Sequence, residues 1–413
     1  MSFEINDLLK KINISKDGDN FFIESAILEI KKMAINSAKN DYKNNKIILI
    51  SDENIWMNYK SHFQDILQQN HIDYFLLKNP IADEFFLNQL LTKIESCDFI
   101  IAFGGGTISD LCKIAANKLN IDFSTFVSAA SMNGYLSKNA SIKINGHKKS
   151  ISAKLPLKVF CDLNIIKNAP KKLIKAGIGD LMCFYSCKFD WYLSHKLLDY
   201  DFDGRPFALL QDKMDFFVKN YQKYQLDDLD FHKVIIEILL LSGIGMTICG
   251  SSNPASQSEH LIAHAIEMKH PKVAKDLLHG QIIAVTTITA VNFQQEILNN
   301  FEEFYKKLQN FTAKNYKKEV MEFFGRKVGE ECLFEYDIKL KKIKSAQLLD
   351  KKDLLEIKEY LNQIFFDSSK IKKIFNHFKI SSNHDSLNLS QDQYSSSINN
   401  SRYIRNRFTC LDL

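Results

Sequence analysis

Residues 98–110 read DFIIAFGGGTISD, and the order of residue types in this stretch decides the fold. Residues 99–103 are wholly apolar, Gly104, Gly105, Gly106 and Thr107 follow, and SDLCKIAANKLN (109–120) carries apolar residues at helical spacing. A buried strand, a glycine turn and a helix make the junction of a parallel α/β sheet. Three consecutive glycines remove the side chains that would keep backbone N–H groups from a pyrophosphate. The helix N-terminus that follows adds a favourable dipole. A plain strand-to-helix turn is the alternative, but such a turn rarely needs three glycines. The run is not GxGxxG, and it follows the third candidate strand, not the first.

Outward from this junction the same alternation continues. KIILIS (46–51), IDYFLL (72–77), DFIIAF (98–103) and FSTFVS (123–128) are strand candidates. WMNYKSHFQDILQQN, FFLNQLLTKIES and SDLCKIAANKLN between them are helical. The order predicts a parallel sheet covered by helices, with ligands beyond the carboxyl ends of its strands. SIKINGHKKSIS (141–152) predicts a hairpin around Asn145-Gly146. From about residue 165 the pattern is almost wholly helical. The expectation is therefore an α/β domain over 1–164 and an all-α domain over 165–413, divided near KVFCDLNIIKNAP. The polar segment 381–401 runs into RYIRNRFTCLDL, which predicts one helix from about residue 390 to 411.

A chain of 413 residues exceeds what one core usually serves, which agrees with two domains. Its net charge of +5 comes with lysines scattered along the chain, a solvated surface and not a nucleic-acid footprint. MSFEINDLLKKINIS has no apolar core of signal-peptide length. VIIEILLLSGIGMTIC (234–249) contains Glu237 and two glycines, and reads as a buried helix, not a bilayer span. The eight cysteines form no CxxC pair, as expected of reduced thiols in a cytoplasmic protein. Neither nucleic acid nor membrane is expected as a partner.

A second constellation lies in GSSNPASQSEHLIAHAIEMKHPKVAKDLLHG (250–280). His260 and His264 are four apart on one helical face. His279 stands just before Gly280 and the apolar run IIAVTTITAV, where another helix begins. Two helices thus bring two or three imidazoles to one point, a common way to hold a divalent metal. The site still needs an anion, and Asp180 in GIGDL is the best-placed candidate. The alternatives are a chance or hydrogen-bonded histidine pair, and Asp180 as a helix N-cap between Gly179 and the apolar LMCFY. A capping carboxylate can also face a metal, so the two roles are compatible.

FGGGTISD, SAASMNGYLS, CDLNIIKNAP, AGIGDL, SSNPASQSEHLIAHAIEM, LLHGQ and IRNRFTCLDL stand in the order seen in sn-glycerol-1-phosphate dehydrogenases. From about residue 20 to its end the chain resembles that branch of the superfamily of iron-containing alcohol dehydrogenases, glycerol dehydrogenase and dehydroquinate synthase. The resemblance implies a dehydroquinate synthase-like fold: an α/β nucleotide-binding domain, an all-α domain, and the active site in the interdomain cleft. Gly104, Gly105, Gly106, Thr107 and Ile108 match the family's NAD(P) pyrophosphate loop. Ser128, Ala129, Ala130, Ser131 and Ser137 match its second nucleotide-contacting stretch. Asp180, His260 and His279 match the metal ligands, for zinc, nickel or iron. His264 matches a substrate-contacting histidine, and with Asp180 it makes the catalytic pair. The implied activity is reversible reduction of dihydroxyacetone phosphate to sn-glycerol 1-phosphate with NADH or NADPH, a step of phospholipid metabolism. The implied partners are a small phosphorylated substrate and, as one possibility, further copies of the chain in a homo-oligomer.

The departures bear on substrate. Asn133 stands where the family pattern SMDGY has a substrate-touching Asp, which removes a charge and exchanges an acceptor for a donor. Asn253 and Gln257 stand where SSRPASGSEH has Arg and Gly, and losing the Arg removes a bidentate fork for phosphate or carboxylate. Another small phosphorylated ketone or polyol is therefore the alternative substrate. A dehydroquinate-synthase-like cyclase and a nucleotide-binding scaffold are more distant alternatives. Asp52, just past the first candidate strand, could accept from an adenosine ribose 2′-OH and so favour NAD.

Overall fold

A computed structural model describes residues 27–31, 46–70, 72–313, 315–346 and 348–413. The amino-terminal stretch, in which no signal sequence was read, lies outside the described residues. Six strands form one parallel sheet: β1 (Ile27–Lys31), β2 (Ile47–Asp52), β3 (Asp73–Leu77), β4 (Phe99–Gly104), β5 (Asp122–Val127) and β8 (Lys158–Asp162). Their order is β1-β8-β5-β4-β2-β3. β6 (Asn139–Ile144) and β7 (His147–Ser152) make the expected hairpin, turning at Asn145 and Gly146, both with positive φ.

The four strand candidates are all present, and β1 and β8 add two that sequence reading passed over. KVFCD was taken as the domain boundary, yet Val159, Phe160 and Cys161 are buried within the sheet. A five-residue run flanked by Lys158 and Asp162 is too short to show a period of two.

The sheet is buried on both faces, and the pleat sorts its side chains. Ile48, Ile50, Ile100, Ala102 and Phe123 point to one side, where Leu87 and Leu90 of the helix Glu84–Ile94 and Ile108 and Leu111 of the helix Gly106–Leu119 cover them. Ile47, Leu49, Phe99, Ile101, Phe103 and Phe126 point to the other, against Trp56 and Phe63 of the helix Glu53–Asn70. Asp52 ends β2 and starts that helix, its Oδ1 accepting from the N–H groups of Asn54 (2.7 Å) and Ile55 (3.2 Å).

The chain forms two compact units that no single cut separates. The first holds the described residues up to Ile144 with Lys149–Gly177 and Arg205–Ser252, so the expected division at 164/165 falls inside it. Besides the sheet it contains the packed helices Arg205–Asn220 and Leu229–Ile248. Leu229–Ile248 is the one helix among the described residues long and apolar enough to cross a membrane, and 89% of its apolar window is buried inside the protein. Within this unit Thr247 holds the segment before β6, its hydroxyl donating to Leu136 O (2.8 Å) and accepting from Lys138 N (3.0 Å).

The second unit is Asn145–Lys148, Ile178–Gly204 and Asn253–Leu413, and outside the hairpin tip it is helical. Its last helix is Gln391–Ser401, shorter than the 390–411 expected. Residues 402–413 turn instead, because Asp412 is drawn inward. Its carboxylate accepts from Thr409 N (2.8 Å) and pairs with the buried ammonium of Lys339 (2.8 Å). A continuous helix would carry Asp412 away from both.

Lys113, on the helix after the glycine run, is fully buried and donates to the carbonyls of Gly134 (2.9 Å) and Asn139 (2.6 Å). Burial brings its ammonium down to about 8, against the pull of Asp110. Lys113→Met keeps the chain length but takes the charged donor from both carbonyls, leaving Gly134 O with Ser137 N (3.2 Å). It should lower stability by about 1.5–3 kcal/mol, the scale of a charged hydrogen bond, read as a lower urea midpoint.

Candidate active site

In the first unit, Gly104 ends β4 and pairs with Val127, the last residue of β5. Ser128 N donates to Gly104 O (3.1 Å), so residues 104–108 and 128–131 lie side by side at the carboxyl ends of neighbouring strands. The three glycines are there for different reasons. A Cβ at Gly104 would stand 2.7 Å from Ile108 Cβ, and one at Gly106 would stand 2.5 Å from Met132 Sδ. A Cβ at Gly105 would meet nothing within 4 Å among the described residues. Packing thus accounts for the outer two, while Gly105 caps the helix Gly106–Leu119 with open space beside it. Thr107 and Ile108 lie in that helix's first turn, where N–H groups have no intrahelical partner.

The second candidate stretch is drawn close by missing side chains. A Cβ at Gly177 would lie 2.1 Å from Ala130 O, and one at Gly243 would lie 2.7 Å from Asn133 O. Tyr135 donates to Ala129 O (2.8 Å), and the Ser137 hydroxyl accepts from Asn139 N (3.0 Å). Asn133 opens the short turn Gly134–Leu136.

In the second unit, the helix Ser258–Lys269 carries His260 and His264, and the helix His279–Asn299 opens with His279, both as expected. Asp180 is no N-cap: it sits in the last turn of Lys171–Leu181, and the next helix starts at Cys183. Ligand atoms of Asp180, His260 and His279 all lie within 4.8 Å of one another, with His260 Nε2 3.6 Å from Asp180 Oδ1. Ring centroids of His264 lie 5.7 Å from His279 and 6.1 Å from His260.

Two carboxylates that sequence reading missed orient these rings. Glu259 sits 2.8 Å from His260 Nδ1, and Glu267 lies 2.8 Å from His279 Nδ1 and 3.1 Å from His264 Nδ1. Each carboxylate occupies Nδ1 and leaves Nε2 for the interior of the site. Metal-binding histidines are commonly held this way. The signal was available in part, since Glu267 follows His264 by three residues on the same helical face.

Electrostatics agree with a cation site. Burial opposes charge on His260, but hydrogen bonds to Asp180 and Glu259 bring it up to about 10. Burial also opposes charge on Glu267, yet Lys148, His279 and His264 hold its carboxyl well below the usual range. His264 goes the other way: burial above all, with Arg405 and His279, pushes it well below its ordinary value and keeps it neutral. Two imidazoles and a carboxylate converge here, Asp180 and His260 buried and His279 partly exposed, and the set fits a divalent ion such as zinc.

Residues 28–170 match the sequence model of the iron-containing alcohol dehydrogenases. The glycerol-1-phosphate dehydrogenase [NAD(P)+] of Thermococcus sibiricus is 34% identical over 247 residues, which cover 57% of this chain and 69% of that protein. The enzyme of the same name from Pyrococcus furiosus is 38% identical over 213 residues, 52% of this chain and 61% of that one. Among solved structures, a 1,3-propanediol oxidoreductase superposes with a TM-score of 0.62 at 14% identity, covering 94% of both chains. The NADH-dependent butanol dehydrogenase A of Thermotoga maritima gives 0.59 at 11% identity, covering 93% of this chain and 89% of that one.

Two substitutions test this geometry. Gly105→Val should leave the fold intact and weaken NAD(P)H binding at least tenfold, about 1.4 kcal/mol, by fluorescence titration. Unchanged affinity would make the glycine only a turn residue. Gly179→Ala is the second: a Cβ there would lie 2.1 Å from Gly280 O, so the start of the His279 helix must shift. Zinc affinity, by chelator competition, should fall at least tenfold.

Proposed function

This chain belongs to the glycerol-1-phosphate dehydrogenase family, and on that premise we propose that it reduces dihydroxyacetone phosphate to sn-glycerol 1-phosphate with NADH or NADPH. One observation carries the reading: Asp180, His260 and His279 converge within 4.8 Å, with the Nδ1 atoms of both histidines already taken by Glu259 and Glu267. In the reaction a hydride and a proton add across the ketone, and the nicotinamide leaves oxidised. Asp180, His260 and His279 would hold a divalent ion, which would supply Lewis acidity at the ketone oxygen.

The chain's own residues do the remainder. The open backbone at Gly105 and the N-terminus of the helix Gly106–Leu119 receive the dinucleotide pyrophosphate, and residues 128–131 with Ser137 line its course. Burial excludes water from His260 and His264. His264 is neutral, so its Nε2 is available to hold or pass on the proton that the product oxygen gains, while Glu267 fixes Nδ1. Asn133 is assigned to substrate contact. Zinc suits the N, N, O donor set, and nickel and iron accept the same set. The eight free cysteines fit a reducing, cytoplasmic setting.

Asp180→Ala, His260→Ala and His279→Ala should each abolish turnover and bound metal while NAD(P)H affinity stays within about twofold. Metal analysis of the purified variants decides it, and full occupancy in all three would remove the site. A panel of ketones with and without phosphate decides the substrate: efficient reduction of dihydroxyacetone phosphate upholds the reading. Should turnover instead be poor and improve in Asn133→Asp/Asn253→Arg, another phosphorylated ketone or polyol is the substrate.

A further inference from the structure

The second unit contains a guanidinium that no hydrogen bond ties into the fold among the described residues. Residues on both sides of Arg405 are tied down. Ile404 packs on Leu261 and Ala265 of the helix that carries His260 and His264. Asn406 N donates to Glu335 Oε2 (3.0 Å), and Arg407 donates to Ser256 O. Arg405 sits between these anchors, partly exposed, and among the described residues no hydrogen bond or ion pair engages its side chain. Glu335, whose charge it feels most, is already accepting from Asn406. Its five N–H donors are thus held beside the histidine helix with no hydrogen-bond acceptor among the described residues.

A second cation stands close to the same histidines. Lys148, at the start of β7, has its Nζ 3.7 Å from Glu267 Oε2, the carboxylate that also takes His264 and His279. At that distance the ammonium has donors to spare.

We propose that Arg405, assisted by Lys148, recognises the phosphate of the substrate next to His264. The inference rests on the function proposed above and names the residues that make that function selective for a phosphorylated ketone. A guanidinium grips two phosphate oxygens at once, and a lysine adds a point charge. Its neighbour Ile404 packs with Ala265, the residue after His264, which sets the proposed anion subsite beside the reacting end. Arg405 acts here in binding and makes no contact with the reacting carbonyl.

The test uses full-length, metal-replete protein with two readouts. Inorganic phosphate is titrated by calorimetry, and kcat/KM is measured for dihydroxyacetone phosphate and for dihydroxyacetone. Arg405→Gln should weaken phosphate binding at least tenfold and lower the preference for the phosphorylated ketone by a similar factor. Arg405→Lys keeps the charge without the fork and should fall between the two, which also serves as the folded control. Absence of saturable phosphate binding in the unmodified protein overturns the proposal, as does equal phosphate affinity in Arg405→Gln. If the unmodified protein reduces neither ketone, the proposed function fails, and the phosphate titration still decides the role of Arg405.

Discussion

The candidate metal site depends on a contact between two backbones. Gly179 approaches Gly280 so closely that a single Cβ would lie 2.1 Å from the carbonyl oxygen. Asp180 follows the first glycine and His279 precedes the second, so this contact sets the distance between carboxylate and imidazole. The other coordinates are set by hydrogen bonds. Glu259 accepts from Gln257 N (2.8 Å), Ser186 Oγ (2.8 Å) and Cys187 Sγ (3.1 Å) before it holds His260. A carboxylate so fully engaged cannot swing, and the ring it holds keeps its tautomer and direction.

The same device recurs in the first unit. Gly177 and Gly243 admit the backbones of Ala130 and Asn133, and Gly106 admits Met132. In each case a side chain is omitted so that a loop bearing candidate ligand contacts can lie against a packed helix. Buried polar groups then fix the loop: Lys113 on two carbonyls, Thr247 on Leu136 and Lys138. Gly105 differs from these glycines, since a Cβ there would meet nothing within 4 Å among the described residues. A side chain absent for packing and one whose absence leaves open space thus stand within three consecutive residues.

Much of this was legible in the sequence, for reasons of scale. The strands β2 to β5 alternate with helices long enough to show their period, so the parallel sheet could be read directly. β8 could not: five residues show no period, and its partner β1 lies far away along the chain. The helix His279–Asn299 was visible because an apolar run follows His279, whereas the final helix was overextended. What stops it at Ser401 is a buried pair between Asp412 and Lys339, 73 residues apart. Sequence spacing cannot report a contact of that range. For the same reason Asp180 was found as a charge near Gly179 but misread as a possible cap, and Glu259 and Glu267 were passed over although they adjoin the histidines. Orientation of a ring nitrogen is a property of three dimensions.

Charge explains why the departures from the family pattern differ in consequence. Gln257 is absorbed locally: its φ of −131° suits any residue, and its amide donates to Asn253 O (3.0 Å), closing the turn before the histidine helix. Asn253 is another matter, because a neutral amide there supplies no counter-charge. Asp180, Glu259 and Glu267 bring three carboxylates to one small volume, and a phosphate approaching them is repelled unless cations stand nearer. Lys148 reduces the charge of Glu267, and Arg405 adds a fork held among residues already anchored on the histidine helix. A site of this kind selects its substrate by the charge at the end remote from the carbonyl. Under the proposal above, the charge lost at 253 is made good by Arg405, whose side chain carries no hydrogen bond or ion pair among the described residues and feels the charge of Glu335.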